Sequence, residues 1–525
     1  MVFFTPRIIA LGSDMANIDT LYWYPRLEKF PRELIEGDLK GTYQQYHPGT
    51  TMLWVSGFAK YSFEMAFEYK YGYKPTYIPH HFIKIQFVTT FPLVFLISVL
   101  GAINYLLIRK LSNAKLALIF SIILSIEPFF LGISKYIHLT ALSSMFGFTG
   151  FLTFLYYLKF KGKKYLIFSG VLQGLAIATK ISLLVFHPAI GITALYYFMY
   201  VSRGKGYLKG FVEATKLTLI NFAIAVATFF AISPYMWVAP IWGLKKIYEE
   251  GIVDTGFGGG MPDTFLNNQY TYYLETSFIR ITPIIFITFI LGLLLYCYRI
   301  KRESKNLLLT GILISLIIYY LSMSIPSKLK DRYLVEFMPM MLLFSAYSMY
   351  EIFKKLRDKK IIIYSLVSVY FIYMAYTAYV YYPAYSFFHS ELIGGPGGYY
   401  SKGLRPVNRG EWYAQAAQYL NFNGEGKPEG KQVIIGNESL TKSFAPFFYG
   451  TTYAELGAVP DNKGIKIHYI VTRNDNQKYV PQDICPLFKT FGTRGPMAFP
   501  NVFVFKCENI LKDDLTKLIP TFPDY

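Results

Sequence analysis

From about residue 85 to residue 383 the chain is a succession of ten apolar runs, each roughly 16–24 residues long, and that pattern decides most of what it can fold into. The runs cover approximately 85–108, 115–132, 139–158, 165–180, 182–201, 217–233, 279–299, 307–325, 333–350 and 361–383. Each is long enough to cross about 30 Å of hydrocarbon. A spanning segment must satisfy its backbone hydrogen bonds internally, and continuous apolar runs lack the alternation of a membrane barrel, so helices are predicted. The runs 165–180 and 182–201 read either as two short passes meeting at Lys180 or as one long helix with a break. With 53% hydrophobic and only 16% charged residues, a string of soluble domains is excluded, as are coiled coil and disorder.

Basic residues set the expected orientation. Arg109, Lys110 and Lys115, then Lys159–Lys164, Arg203–Lys216, Arg299–Lys305 and Lys354–Lys360, fall in alternate connections, which the positive-inside rule assigns to the cytoplasm. Residues 1–84, the turns at Lys135, Lys180 and Lys328–Arg332, the loop 234–278 and the tail from about 384 are then outside. The net charge of +19 sits largely between apolar runs, which points to membrane and phosphate-bearing lipids and away from nucleic acid. Both termini fall outside without a signal to carry the first segment across; the expectation is an upstream helix, or one of which RIIALG is the residue.

Three units are expected: an outer N-terminal segment 1–84 with a surface helix, a transmembrane bundle 85–383, and a C-terminal α/β unit 384–525. In the first, Leu21, Tyr24, Leu27, Phe30 and Leu34 repeat at helical spacing, which suits a helix on the membrane surface or packed on the bundle. In the last, EWYAQAAQYLN reads as a helix and QVIIG, HYIVTR and NVFVFK as buried strands. Cys297 reads as a small core residue, and Cys485 and Cys507 could pair in an oxidising compartment. Asn437-Glu438-Ser439 matches a glycosylation acceptor, a short pattern common by chance.

The chemistry-bearing residues are few. No phosphate-cradling glycine loop or His/Cys metal spacing occurs, and GFGGGM at 256–261 is a glycine cluster in a loop. Asp19 opens the amphipathic segment, where a carboxylate could cap a helix or serve as a general base, with Arg26 two turns on. His47 lies beside a Pro-Gly turn. Lys180 interrupts LAIATKISLLVF, and an ionisable group in an apolar stretch costs several kcal/mol unless partnered. Lys135, Lys328, Lys330 and Arg332 fall at the same level; each alone could snorkel to the interface, but together they make a basic pocket suited to a lipid-linked phosphate.

In order, Asp19 with Arg26, TYQQYHPGTTMLWVSG, EPFFLGISKYIHLTALSSMF, SGVLQGLAIATKISLLVFHP and SKLKDRYLVEFMPMM resemble the GT-C integral-membrane glycosyltransferases, over essentially the whole chain. Within them the sequence is similar to the dolichyl-phosphate-mannose protein mannosyltransferase and aminoarabinose-transferase branch. The resemblance implies an all-α polytopic bundle with a small extracytoplasmic α/β domain in the plasma membrane. It implies transfer of a sugar from a polyprenyl-phosphate carrier to an acceptor on the outer face, with inversion and no cofactor or metal. By position, Asp19 would be catalytic, and Arg26, His47, Lys135, His138, Lys180, Lys328, Arg332 and Tyr333 would bind substrate. The chain departs from the family pattern at Thr20 and Thr140, where acids are common. The rival reading is a scaffold that only binds or transports a polyprenyl lipid.

Overall fold

The computed structural model describes residues 2–201, 207–254, 264–300, 306–407, 409–423, 427–460 and 465–511. The glycine cluster at 256–261 and the basic residues at 203–205 and 301–305 lie outside them. The two longer helices before the bundle are α1 (Ile18–Glu36) and α2 (Phe58–Tyr71). All ten apolar runs are helical: α3 (Pro79–Leu111), α4 (Ala114–Ile126), α5 (Leu139–Phe160), α6 (Lys163–Thr179), α7 (Ile181–Val201), α8 (Tyr207–Ile232), α10 (Pro283–Tyr298), α11 (Leu307–Met323), α12 (Met338–Lys355) and α13 (Lys360–Tyr381), with α9 (Tyr272–Arg280) ahead of α10. Of these, α3, α5, α7, α8 and α13 are long and apolar enough to cross a membrane, and α4, α10 and α11 are shorter apolar helices. Their length and composition place the chain in a membrane.

The run at 115–132 is shorter than expected as a single helix because Pro128 follows Glu127; α4 stops at Ile126 and a separate turn of helix, Pro128–Ile133, begins. Lys180 is extended (φ −151°, ψ 122°) and separates α6 from α7, so that pair is two helices meeting at the lysine. Side-chain caps mark several starts: Asn113 accepts from the Leu116 N–H, and Asn306 from that of Leu309. α5 is the axis of the bundle, with 94% of its apolar stretch buried, against 11% for α13 at the periphery. Helix direction puts the basic residues Arg109, Lys110, Lys159, Lys163, Arg299, Lys355 and Lys360 at one end of the bundle and Lys180 at the other.

α1 packs into the bundle core, with Trp23, Tyr24, Leu27 and Phe30 buried. That is the alternative in which the amphipathic helix lies against protein. Cys297 differs from expectation. It is exposed, because α10 turns Ile285, Phe289, Gly292 and Tyr296 inward and Cys297 falls about 100° round from Tyr296.

The tail contains α14 (Tyr413–Asn423), α15 (Glu438–Phe444) and a five-stranded mixed sheet. Its strands are β1 (Gln432–Ile434), β2 (Thr451–Tyr453), β3 (Lys466–Arg473), β4 (Leu487–Gly492) and β5 (Pro500–Leu511), in the order β2-β1-β3-β5-β4. Three strands match the sequence reading; β2 and β4 are edge strands with largely unburied residues and no period-two apolar alternation. The period-two alternation is visible in β5. Val502 and Val504 join the core shared with the bundle and α14, while Phe503 and Phe505 build the opposite face with Cys485 and Cys507. Those two cysteines form a disulfide. Asn437 accepts from the Leu440 N–H and caps α15, which accounts for its place in the sequence.

Candidate functional site

The site forms at the end of the bundle opposite the basic loops. Asn17 caps α1, accepting from the Asp19 N–H at 2.7 Å, so the Asp19 carboxylate is free of that duty. It accepts instead from the Arg332 guanidinium at 2.6 Å. His138 caps α5, its Nδ1 accepting from the Thr140 N–H at 3.2 Å, and that fixes the tautomer. The protonated Nε2 then faces the Asp19 carboxylate at 3.9 Å. Burial, followed by the charges of Arg332, Lys180 and Arg409, holds His138 well below the usual histidine range.

Beside this group a cavity of about 340 Å³ is lined by Tyr46, His47, Lys180, Ser182, Lys328 and Tyr333, with apolar residues of α7 and α11. The turn carrying His47 is drawn in by the Gly49 N–H, which donates to the Thr179 carbonyl at the end of α6. Gly49 has φ +62°, and a Cβ there would meet the Trp23 ring at 2.7 Å; only glycine fits between α1 and α6. Burial and then Lys180, Lys328, His138 and Arg332 push His47 well below its ordinary value, which ties the cavity to the Asp19 group. Lys328 donates to the Tyr46 hydroxyl at 3.4 Å. Lys330 is pushed down by burial, then by Arg332 and Lys328, as expected where cations outnumber their counter-charges.

Lys180 has a partner. Its ammonium is ion-paired with the buried Glu336, which also accepts from Ser182 at 2.9 Å and from Tyr319 at 2.6 Å, and it lies 3.6 Å from the centre of the Tyr333 ring. A second hub is Asp331. It accepts from Arg280 at 2.7 Å, from Arg409 and from the Arg332 N–H at 2.7 Å. Burial would raise this carboxyl, but Arg409, Arg280 and Arg332 together hold it well below the usual range. Arg409 comes from the tail, and its backbone carbonyl accepts from the Ile18 N–H beside Asp19. Its Nε and Nη1, the Nε of Arg332 and the hydroxyl of Tyr136 are buried with no hydrogen-bond partner among the described residues.

The structure thus gathers Asp19, His138 and Arg332 in one group, and His47, Lys180, Lys328 and Tyr333 round the adjoining cavity. Lys135 and Arg26 are placed otherwise. The Lys135 ammonium is taken up by the Asp14 carboxylate (2.8 Å) and the Ile9 carbonyl (2.8 Å), both in the N-terminal segment. Arg26 lies over the Trp23 ring at 4.8 Å. Thr20 and Thr140 are buried, and the Thr20 hydroxyl reaches the Ile137 carbonyl at 3.4 Å. Glu336, Asp331, Arg280 and Arg409 are absent from the sequence reading. Glu336 and Arg280 had a signal, an ionisable residue among apolar ones in DRYLVEFM and SFIRITPIIF; Arg409, far from Asp331 in sequence, had none. Among the described residues, no three His, Cys, Asp or Glu side chains converge as a metal site.

No protein family model and no curated protein matches the chain. Solved structures do. The chain is similar to ArnT from Cupriavidus metallidurans bound to undecaprenyl phosphate, at 12% identity over 96% of either chain with a TM-score of 0.49. It is also similar to the Archaeoglobus fulgidus oligosaccharyltransferase AglB in complex with an inhibitory peptide and a dolichol-phosphate, at 13% identity over 91% of this chain and 69% of that one, with a TM-score of 0.45. Both neighbours are GT-C glycosyltransferases, the family that the sequence motifs resemble.

Proposed function

We propose that the chain is a membrane glycosyltransferase that moves a sugar from a polyprenyl-phosphate-linked donor to an acceptor hydroxyl on the outer face of the plasma membrane, with inversion. The observation that carries this is the Asp19–Arg332 pair beside a cation-rich cavity among apolar helices. A glycosyl phosphate needs apolar surface for its chain, cations for its phosphate and a carboxylate for the incoming hydroxyl. All three occur together here. The basic loops at the opposite end support an outward-facing site and tail.

In this reading the acceptor oxygen bonds to the anomeric carbon as the bond from that carbon to the phosphate oxygen breaks. The acceptor proton passes to Asp19, and the departing charge is met by Arg332 and Lys328. Donor phosphate competes with Asp19 for Arg332, so its arrival frees the carboxylate to act as base. Arg409 offers to the same region two guanidinium nitrogens that have no partner among the described residues. Lys180 is held by Glu336 and shapes the cavity wall, and Lys135 anchors the N-terminal segment through Asp14.

The test is turnover in proteoliposomes supplied with a polyprenyl-phosphate sugar pool. Asp19→Asn should abolish transfer and retain polyprenyl-phosphate binding. Full transfer by that variant would refute the assigned base.

A further inference from the structure

A second cavity, sharing no lining residue with the first, runs along α13 from Ile284 in the first turn of α10 to Phe353 near the basic end of α12. It has a volume of about 340 Å³ and is lined almost wholly by apolar side chains of α4, α10, α12 and α13, among them Ile119, Ile123, Ile284, Ile352, Val367 and Tyr370. It exists because α13 leans away from the bundle. Of its residues only Met374, Thr377, Val380 and Tyr381 are buried, all in the last third of the helix, so the segment towards Lys360 stands off α4 and α12. The Tyr370 hydroxyl is buried there with no hydrogen-bond partner among the described residues.

A polar cavity of about 590 Å³ adjoins it at the basic end of α12. Ile352 borders both, and the mouth is lined by Leu295, Arg299, Glu351, Lys354, Lys355 and Arg357. Glu351 is shared by Arg299 at 2.6 Å and Lys354 at 3.9 Å, and Asp358 pairs with Arg357 at 3.6 Å. Lys355 lies exposed between them, and Lys359 and Lys360 follow in the linker and first turn of α13. The described mouth and linker therefore carry six cations against two carboxylates. A cationic rim on a dry interhelical groove, at the level where a bilayer places its phosphates, matches one ligand: an amphiphile with an anionic phosphate head and a hydrocarbon tail.

We propose that this groove is a binding site for an anionic glycerophospholipid of the leaflet on the basic side, with one chain between α13 and the α4–α12 face and the phosphate among Arg299, Lys355 and Arg357. Charge complementarity selects this occupant over a zwitterionic lipid. The groove shares no lining residue with the Asp19 cavity, so the proposal stands apart from the glycosyl-transfer reading.

The test is native mass spectrometry of the delipidated full-length chain titrated separately with dioleoylphosphatidylglycerol and dioleoylphosphatidylcholine. The first phosphatidylglycerol should bind about tenfold or more tightly than the first phosphatidylcholine. Lys355→Gln with Arg357→Gln, both on exposed side chains, should erase that preference. Val367→Trp, which fills the groove and leaves the rim intact, should weaken the first binding event for both lipids. Equal affinity of the two lipids for the unaltered chain, or a preference that survives both variants, would overturn the proposal. So would an undecaprenyl phosphate that displaces phosphatidylglycerol one for one and is lost in Val367→Trp, because the groove would then belong to the carrier.

Discussion

Lys180 and Glu336 give the sharpest test of how charge is arranged round the cavity. Both side chains are almost completely buried, and the ammonium has Glu336 and the face of Tyr333 as its partners. Lys180→Met removes the cation and leaves a buried carboxylate held by the hydroxyls of Ser182 and Tyr319. Breaking a buried pair from one side costs about 3–5 kcal/mol, whereas replacing both members by neutral groups of similar size is close to neutral. The double variant Lys180→Met, Glu336→Gln should therefore recover most of the stability lost by the single one in detergent unfolding. Binding of a polyprenyl phosphate separates the structural role from a ligand role. A charge-assisted hydrogen bond to phosphate contributes about 1.5–3 kcal/mol, so a lysine that grips the donor would cost both variants about ten- to a hundredfold in Kd. With Lys180 held by Glu336, the double variant should bind the lipid within a few-fold of the unaltered chain. A double variant as unstable as the single one would refute the pairing argument.

Other predictions follow from the same geometry. Arg409→Gln should lower transfer by about ten- to a hundredfold while Asp331 keeps Arg280, and Arg409→Lys should restore only part of it, because the bidentate fork is lost; steady-state kinetics in proteoliposomes would show it. His47 and His138 are held below the ordinary histidine value of about 6.5, so below that pH the unfolded chain binds protons that the folded chain refuses. Stability is then complete above about pH 6.5 and falls by up to about 1.4 kcal/mol per pH unit for each histidine as the pH drops, until the folded value is reached. Thermal inactivation should steepen between pH 7 and pH 5, and His47→Gln should flatten that slope. Replacing Cys485 and Cys507 by serine opens a loop of sequence separation 22 and should cost the tail about 3 kcal/mol, read as faster limited proteolysis of that unit.

The helices were legible because apolar runs of this length have one way to satisfy their backbone, and all ten are helical. Their ends were less so. The break after Glu127 depends on Pro128, which lies inside an otherwise continuous run, and edge strands β2 and β4 lack the alternation of a half-buried strand. In the site, the cations stood out because an ionisable group in an apolar stretch is conspicuous, and the turns carrying His47, Lys180, Lys328 and Arg332 lie together at the end of the bundle opposite the basic loops. Their counter-charges did not stand out. Asp14, Asp331 and Glu336 decide which lysines and arginines remain available, and the pairing of residues 51, 78 and 156 positions apart has no local signature. Arg409 was hidden for the same reason: the tail reads as a separate unit, and only packing brings it to α1.

The most direct test of the account is an experimental structure of the chain with a bound polyprenyl phosphate. The account predicts the phosphate within hydrogen-bonding distance of Lys328 and Arg332, with the Asp19–Arg332 contact opened and the chain lying among the apolar residues of α7 and α11. A phosphate bound elsewhere, with Arg332 still on Asp19, would contradict the assignment of this cavity as the donor site.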